Sequence, residues 1–346
     1  MGVGGVATTG YNRPTMPKTN LIAVQARMER ADYRDETAFR AKIASLMQLA
    51  AREADFSLPT LVSFPELIGM FLSFLPAYWH DFAEEPSLQA ASMNFVMSRL
   101  NAIPAGDRPA PGPFGRRLMF IDTAVEAERI YTETFAEMAR EYGCYLGAGS
   151  IALPPLEHEP SKGGRHVRDE TQVWNTAYLF SPNGACLQRV PKVHLVPGLE
   201  ELLFDPGPRS EVSPAKTAIG NIGTLVCFDG FHETLVERYD SLGVDVLLKP
   251  SYNQHAWDGP STYDPAHREG ENWLRGGCPA IIQGRENIRY GVNPMMVGSV
   301  FEDMFAEGLS SIAINTGRAG ASQEDTILAI ATNPAAEEIV TATVDL

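Results

Sequence analysis

The feature that most restricts the fold is a series of short apolar runs of strand length, separated first by helical stretches and later by tight turns. Leu21-Ile-Ala-Val-Gln-Ala-Arg reads as a strand and Thr60-Leu-Val-Ser-Phe as a second, short and buried. Between them Ala38, Ile43, Leu46, Met47 and Leu49 suggest a helix over Asp35 to Glu53, capped near Asp35. Helical periodicity returns from Ile121 to Tyr142, stops at Gly143 as a C-cap, and runs into the strand Tyr145-Leu-Gly-Ala-Gly. This β-α-β rhythm changes at Val173 to Phe180 and Cys186 to Val190. These two strands flank Ser181-Pro-Asn-Gly, whose residues suit a tight hairpin turn, so the pair must be antiparallel. Further strands are expected at Gly223 to Val226, Val244 to Lys249, Gly291 to Val297, Ser310 to Asn315, Ile327 to Ala331 and Ile339 to Val344, with helices near Glu233 to Ser241 and Asn272 to Asn287. Mixed strand directions with interspersed helices point to a layered α/β sandwich.

At 346 residues the chain is long for a small domain, yet a large layered fold holds this length around one core. One domain is expected over residues 20–346, preceded by a loose leader, residues 1–19, rich in Gly, Thr and Pro and without the apolar core of a secretory signal. After Glu66 the pattern becomes irregular. Phe71, Phe74, Tyr78, Trp79 and Phe82 precede a Pro/Gly-rich stretch from Pro104 to Gly115, so residues 70–120 read as an insertion suited to a lid or a subunit interface. No internal repeat or low-complexity tract is present, which removes solenoids and propellers.

Charge and cysteine usage narrow the function classes. The net charge of −15, without a Lys/Arg cluster, opposes nucleic acid and anionic lipid as partners. No apolar run reaches the roughly 18–20 residues that span a bilayer, so no membrane partner is expected and a cytoplasmic location is. Cys144, Cys186, Cys227 and Cys278 lie far apart with no C-x-x-C pair, as reduced thiols do, and neither a disulfide framework nor a metal site is expected.

Three polar residues stand just beyond the ends of expected strands: Glu66 in Phe64-Pro-Glu-Leu, Lys192 in Arg189-Val-Pro-Lys-Val-His-Leu, and Cys227 in Gly223-Thr-Leu-Val-Cys-Phe-Asp. Strand carboxyl ends are where α/β proteins gather reactive groups. A thiol attacks a carbonyl only as thiolate, so a carboxylate base and a cation for the developing oxyanion complete a chemical set.

The order Glu, Lys, Cys within F-P-E, K-V-H-L-x-P and L-V-C-F-D resembles the nitrilase, or carbon–nitrogen hydrolase, superfamily. Asn175-Thr-Ala-Tyr, Lys249-Pro-Ser-Tyr-Asn-Gln-His-Ala-Trp and Gly284-Arg-Glu-Asn-Ile-Arg-Tyr add to the likeness, which runs from about Asn20 to the C-terminus. The resemblance implies a four-layer α-β-β-α sandwich and a homodimer or larger homo-oligomer. It also implies Glu66 as proton acceptor and donor, Cys227 as acyl-forming nucleophile, and Lys192 with the Phe228 amide as oxyanion hole. Glu200, eight residues after Lys192, matches a second glutamate of one subgroup, with Glu201 its neighbouring alternative. The implied reaction is hydrolysis of a small-molecule amide through a cysteine thioester, releasing ammonia or an amine and needing no cofactor. Nitrile hydrolysis by the same residues is the first alternative. The Lys192-to-Glu200 segment also resembles the nitrilase-like domain of membrane N-acyltransferases, and a catalytically silent scaffold of the same fold is the non-enzymatic alternative. One departure is plain: Cys227-Phe-Asp-Gly-Phe-His-Glu lacks the arginine and proline that many amidase-type members carry after the nucleophile.

Blander readings apply elsewhere. Cys144, Cys186 and Cys278 read as inert small hydrophobes. His194 and His232 invite a Cys–His dyad but have no local signature of one, and His232-Glu-Thr-Leu-Val lacks the second imidazole of a zinc helix. Gly147-Ala-Gly-Ser-Ile-Ala mimics a dinucleotide fingerprint, but Pro154-Pro155 bars the required helix, leaving a glycine-permitted strand exit. Tyr252, Asn253 and Trp257 follow a strand end and are candidates to line the substrate pocket.

Overall fold

The computed structural model describes residues 18–159, 165–168, 171–261, 263–318 and 322–346; the expected leader lies outside these except for its last two residues, which already belong to the first strand. That strand, Lys18–Arg27, is the hub of an eight-stranded sheet. It pairs in parallel with Thr60–Ser63, which pairs in parallel with Tyr145–Leu153; the hairpin Trp174–Phe180 and Cys186–Pro191 then extends the sheet antiparallel. On its other side the first strand takes Glu338–Asp345 antiparallel, and beyond it Met296–Phe301 in parallel. The second sheet has six strands, ordered Ile327–Ile330, Ser311–Ile314, Tyr290–Asn293, Val246–Leu248, Gly220–Thr224 and Ala215–Thr217.

Strand alternation builds the layers. Leu21, Ala23, Leu61 and Leu179 meet Ile222, Val246, Leu248, Val292 and Ile312 between the sheets. Their neighbours Ile22, Val24, Val62, Phe64 and Leu146 point the other way, against Phe39, Ile43, Leu46, Ile130 and Phe135 of the helices Glu36–Glu53 and Ala124–Tyr142. Leu225, Leu247 and Ala313 back onto Leu235, Val236 and Tyr239 of the helix Glu233–Ser241. The result is the expected α-β-β-α sandwich.

With both faces of the first strand apolar, the hydrophobic pattern alone cannot choose its register, since a one-residue slip would bury an equally apolar set. Buried polar groups remove the ambiguity. The Gln25 amide donates to the Asn333 and Ala336 carbonyls at 2.7 and 2.8 Å and accepts from Ser310 N–H at 2.7 Å. Asn20 accepts from the Thr343 hydroxyl at 2.8 Å. A slipped strand would strand these groups without partners.

Several expectations need correction. The stretch expected as one strand, Gly291 to Val297, is two strands in different sheets, because Pro294 cannot donate to a ladder and the chain changes layer there. The helix expected over Asn272 to Asn287 begins earlier and is broken at Gly277 into Glu269–Gly276 and Cys278–Ile281. The supposed insertion is largely helical, with helices Leu75–Phe82, Leu88–Asn101 and Pro111–Arg116, the last using its proline at the first turn where no N–H is needed. Its aromatic residues form no lid: Phe71, Phe74 and Phe82 are buried and pack on Phe95, Phe120 and Phe301. Cys186 is exposed rather than buried.

Gly149 is the glycine on which the site depends. Its φ is +71°, and a Cβ there would overlap the Pro65 carbonyl oxygen, so only glycine lets the strand pass under the turn that carries Glu66. Gly143 also has positive φ, +60°, but no neighbour within 4 Å. Gly143→Ala should therefore cost only the left-handed conformation, about 1–2 kcal/mol. Gly149→Ala adds a backbone overlap and should cost about 2–5 kcal/mol. Urea unfolding of the two variants measures the difference; equal losses would show that the turn is free to move.

Candidate active site

Both sheets contribute. Glu66 follows Thr60–Ser63, Lys192 follows Cys186–Pro191, and Cys227 follows Gly220–Thr224 at the head of a 3-10 turn, Cys227–Phe231. The nucleophile candidate thus belongs to one layer and its two ionic companions to the other.

Each side chain is held by local geometry. Leu67 has φ +59°, with its N–H bound to the Ser150 hydroxyl at 2.8 Å, while Tyr33 Oη donates to the Ile68 carbonyl at 2.9 Å. Cys227 has φ +47°, and its N–H donates to the Pro250 carbonyl at 2.8 Å. A cysteine in that region costs on the order of 1–2 kcal/mol, which the surrounding bonds must offset. Lys192 N–H donates to Asn175 O at 2.8 Å, and Lys192 O accepts from Gly207 N at 2.8 Å.

Lys192, 1% exposed, places its ammonium 2.8 Å from Glu66 Oε1 and 2.7 Å from Glu200 Oε2. Of the two neighbouring glutamates, Glu200 faces Lys192, whereas Glu201 turns outward to the Gly198 N–H. Glu66 Oε1 also accepts from Asn175 Nδ2 at 2.9 Å, and Glu200 Oε2 accepts from Val196 N–H at 2.7 Å. One ammonium faces two buried carboxylates. Burial raises the Glu66 pKa, and Glu200 adds to the rise against the opposing pull of Lys192. Lys192 itself is held above its ordinary value: burial opposes its charge, but Glu66, Cys227 and Glu200 together outweigh it. The ammonium keeps its proton, and Glu66 binds a proton more readily than an ordinary carboxylate.

The Cys227 thiol points at the Tyr252 carbonyl at 3.7 Å and feels the charge of Glu66. Its pKa is pushed up to about 12, by burial first and then by Glu66, with Lys192 and Lys249 opposing. A resting thiolate is therefore disfavoured, and attack requires transfer of the proton as the bond forms.

Sequence reasoning left out three neighbours. Asn175 was visible only as part of a flanking motif. Asp229 is fully buried; its carboxylate accepts from Val193 N–H at 3.0 Å and His194 N–H at 2.7 Å and pairs with His194 Nδ1 at 3.0 Å, tying the Cys227 turn to the Lys192 segment. Lys249 is fully buried, sits 4.6 Å from the Phe231 ring centroid and 4.4 Å from that of Trp273, and has its pKa lowered by burial. A Cβ at position 230 would lie 2.5 Å from Lys249 Cε, which gives the glycine in Cys227-Phe-Asp-Gly a packing reason. The signal for Lys249 was a lysine closing the apolar run Val244-Asp-Val-Leu-Leu. His194 and His232 stack at 3.6 Å outside the lining of the cavity, so neither attends the thiol.

Glu66, Lys192, Glu200 and Cys227 border a cavity of about 580 Å³, walled mainly by apolar groups including Leu67, Met70, Leu203, Phe204, Phe228 and Phe231. Tyr252 and Asn253 line it as expected, but Trp257 does not. Trp257 is buried beneath Gly270, where a Cβ would overlap its indole nitrogen, and borders a separate small void. Residues 70–120 supply only Met70 to the lining; much of the rest comes from Ser261 and the segments 196–204 and 263–276.

A family model described as carbon–nitrogen hydrolase matches residues 21–271. An apolipoprotein N-acyltransferase of Geobacter metallireducens is 29% identical over 197 residues, 49% of this chain and 35% of that protein. An omega-amidase of Xenopus tropicalis is 29% identical over 166 residues, 45% of this chain and 51% of that protein. The matches thus span from about a third to a half of these relatives' own lengths. Among solved structures, Saccharomyces cerevisiae Nit3, a member of the nitrilase superfamily, superposes with TM-score 0.57 at 17% identity, covering 96% of this chain and 92% of that one. A Nesterenkonia amidase superposes with TM-score 0.54 at 18% identity, covering 98% and 94%. These likenesses speak to the fold.

Removing the cation should expose how much the site relies on it. Lys192→Met leaves two buried carboxylates unpaired and should destabilise the protein by about 3–5 kcal/mol. Denaturant unfolding provides the number, and a loss under about 1 kcal/mol would show that the carboxylates balance without it.

Proposed function

The chain belongs to the carbon–nitrogen hydrolase family, and from that premise we propose that it hydrolyses a small-molecule, non-peptide amide through a thioester on Cys227. The observation that supports this most is the Lys192 ammonium shared between Glu66 and Glu200 beside the thiol. As the sulfur attacks the amide carbon, Glu66 takes the thiol proton, and Lys192 with the Phe228 amide faces the developing oxyanion. The C–N bond then breaks as Glu66 returns that proton to the leaving nitrogen, releasing ammonia or an amine. Water attacks the thioester while Glu66 takes its proton; the C–S bond breaks, Cys227 regains a proton, and a carboxylic acid leaves.

Two relatives bear on the reading from different sides. The omega-amidase supports hydrolysis, whereas the N-acyltransferase supports an amine in place of water at the second step. No helix among the described residues is long and apolar enough to cross a membrane. The first step is common to both, and a nitrile would enter at the same sulfur.

Intact-mass measurement with a panel of amides and nitriles tests the scheme. A substrate-dependent adduct should appear on the wild type and be absent from Cys227→Ala, with ammonia release lost. Glu66→Gln should slow turnover by about 10²–10⁴-fold. No adduct and no ammonia across aliphatic, aromatic and charged amides and nitriles would count against it.

The pH dependence follows from the raised Glu66 pKa. The base works only when ionised, so kcat/KM should fall as pH drops through a value above the ordinary 4.5. An acid limb at or below 4.5 would contradict the electrostatic account.

A further inference from the structure

Beneath the aromatic wall of the cavity lies a cation that the reaction scheme does not use. Lys249 follows the strand Val246–Leu248 and is fully buried. Its ammonium donates to Ser251 Oγ at 3.3 Å and Asn293 Oδ1 at 3.4 Å, rests against the rings of Phe231 and Trp273, and has no ion-pair partner among the described residues. Burying an ammonium without a carboxylate beside it costs stability, and an apolar side chain of similar length would fill the same space without that cost. The charge therefore calls for a use.

Its position indicates which. The segment that begins at Lys249 runs alongside the nucleophile: Pro250 O accepts the Cys227 N–H at 2.8 Å, and Tyr252 O faces the thiol at 3.7 Å. The aliphatic stem of Lys249 lies against Gly230, within the 3-10 turn that Cys227 heads, and Phe231 ends that turn. Trp273 packs on the small apolar cluster that includes Cys227. Phe231 and Trp273 both border the cavity, so the ammonium stands directly behind the wall, where solvent screens its field weakly.

Few ionisable groups surround it. Burial acts most strongly on its charge, followed by Cys227, then Cys278 and Glu66, and last the like charge of Lys192. Glu269 meets the far side of this group by accepting the Trp273 indole N–H at 2.9 Å. Cys278, its pKa pushed up to about 12 by burial, keeps its proton, and Glu66 is already paired with Lys192. The negative charge left for Lys249 to meet is one that exists only during reaction, on the Cys227 sulfur.

We propose that Lys249 is a positioning residue for the chemistry at Cys227: its ammonium, fixed behind Phe231 and Trp273, stabilises the negative charge that gathers on the sulfur as Glu66 takes the thiol proton. Lys192 faces the oxygen side of the same step, so the two buried lysines divide the developing charge between them. The inference rests on the hydrolase reading only in taking Cys227 as the nucleophile.

A cation lowers the pKa of an acid near it, so a neutral residue at position 249 should raise that of Cys227. Alkylation of Cys227 by iodoacetamide, followed by peptide mass spectrometry from pH 4 to 10 in the full-length wild type, Lys249→Met and Lys249→Gln, reads this without substrate. Both variants should react about 3- to 10-fold more slowly near neutrality, and their alkaline rise in rate should lag by about one pH unit. Because they shed a buried charge, their urea midpoints should equal or exceed that of the wild type. A purely structural lysine would give the opposite pattern, lower midpoints with the pH dependence kept. An unshifted profile in both variants, a slowing by one factor at every pH, or failure of both to fold would overturn the proposal. Ammonia release from amides by the wild type reports the hydrolase reading separately. A shifted alkylation profile without ammonia from any amide keeps the Lys249 assignment and rejects the hydrolase, whereas ammonia release with an unshifted profile does the reverse.

Discussion

A single ammonium held between two buried carboxylates is the constraint around which the rest is arranged. Lys192, Glu66 and Glu200 are all nearly inaccessible, and ionised groups in such a setting are tolerated only when paired and hydrogen-bonded. Two strand ends of one sheet must therefore converge, Asn175 must turn its amide to Glu66, and the 196–204 segment must fold back to present Glu200. Burial first, and then the Glu200 charge, raise the affinity of Glu66 for a proton against the pull of the shared cation. Cys227, carried there by the other sheet, feels the charge of that carboxylate.

Packing and chemistry meet at a few positions where ordinary residues would not fit. Gly149 passes beneath Pro65, Gly230 makes room for Lys249, and Cys227 itself occupies left-handed backbone. Asp229, two residues beyond the thiol, binds the backbone that follows Lys192. The two layers are thereby tied at the point where nucleophile and cation must keep their spacing.

Much of this was legible from local sequence. Glu66, Lys192 and Cys227 each close an apolar run, and strand ends are marked by short-range patterns; the hairpin at Ser181-Pro-Asn-Gly was equally plain. What escaped were features decided by direction or by distant partners. Glu200 and Glu201 differ only in which way a turn points them. Trp257 follows its strand closely but faces a helix rather than the cavity. The helix Leu88–Asn101 buries Leu88, Ala91, Phe95, Val96 and Leu100 at helical spacing, yet Met93 and Met97 lie exposed and blur that stripe. Pro294 separates two strands whose apolar residues read as one.

The central claim is that Glu66 governs the reactivity of an otherwise protonated Cys227. The rate at which iodoacetamide alkylates Cys227, followed by peptide mass spectrometry from pH 4 to 10 in wild type and Glu66→Gln, tests it without any substrate. The account predicts a wild-type rate that falls at acid pH as Glu66 takes a proton, and a variant that reacts slowly near neutrality and accelerates only in alkali. Matching rates and matching pH profiles for the two proteins would contradict it.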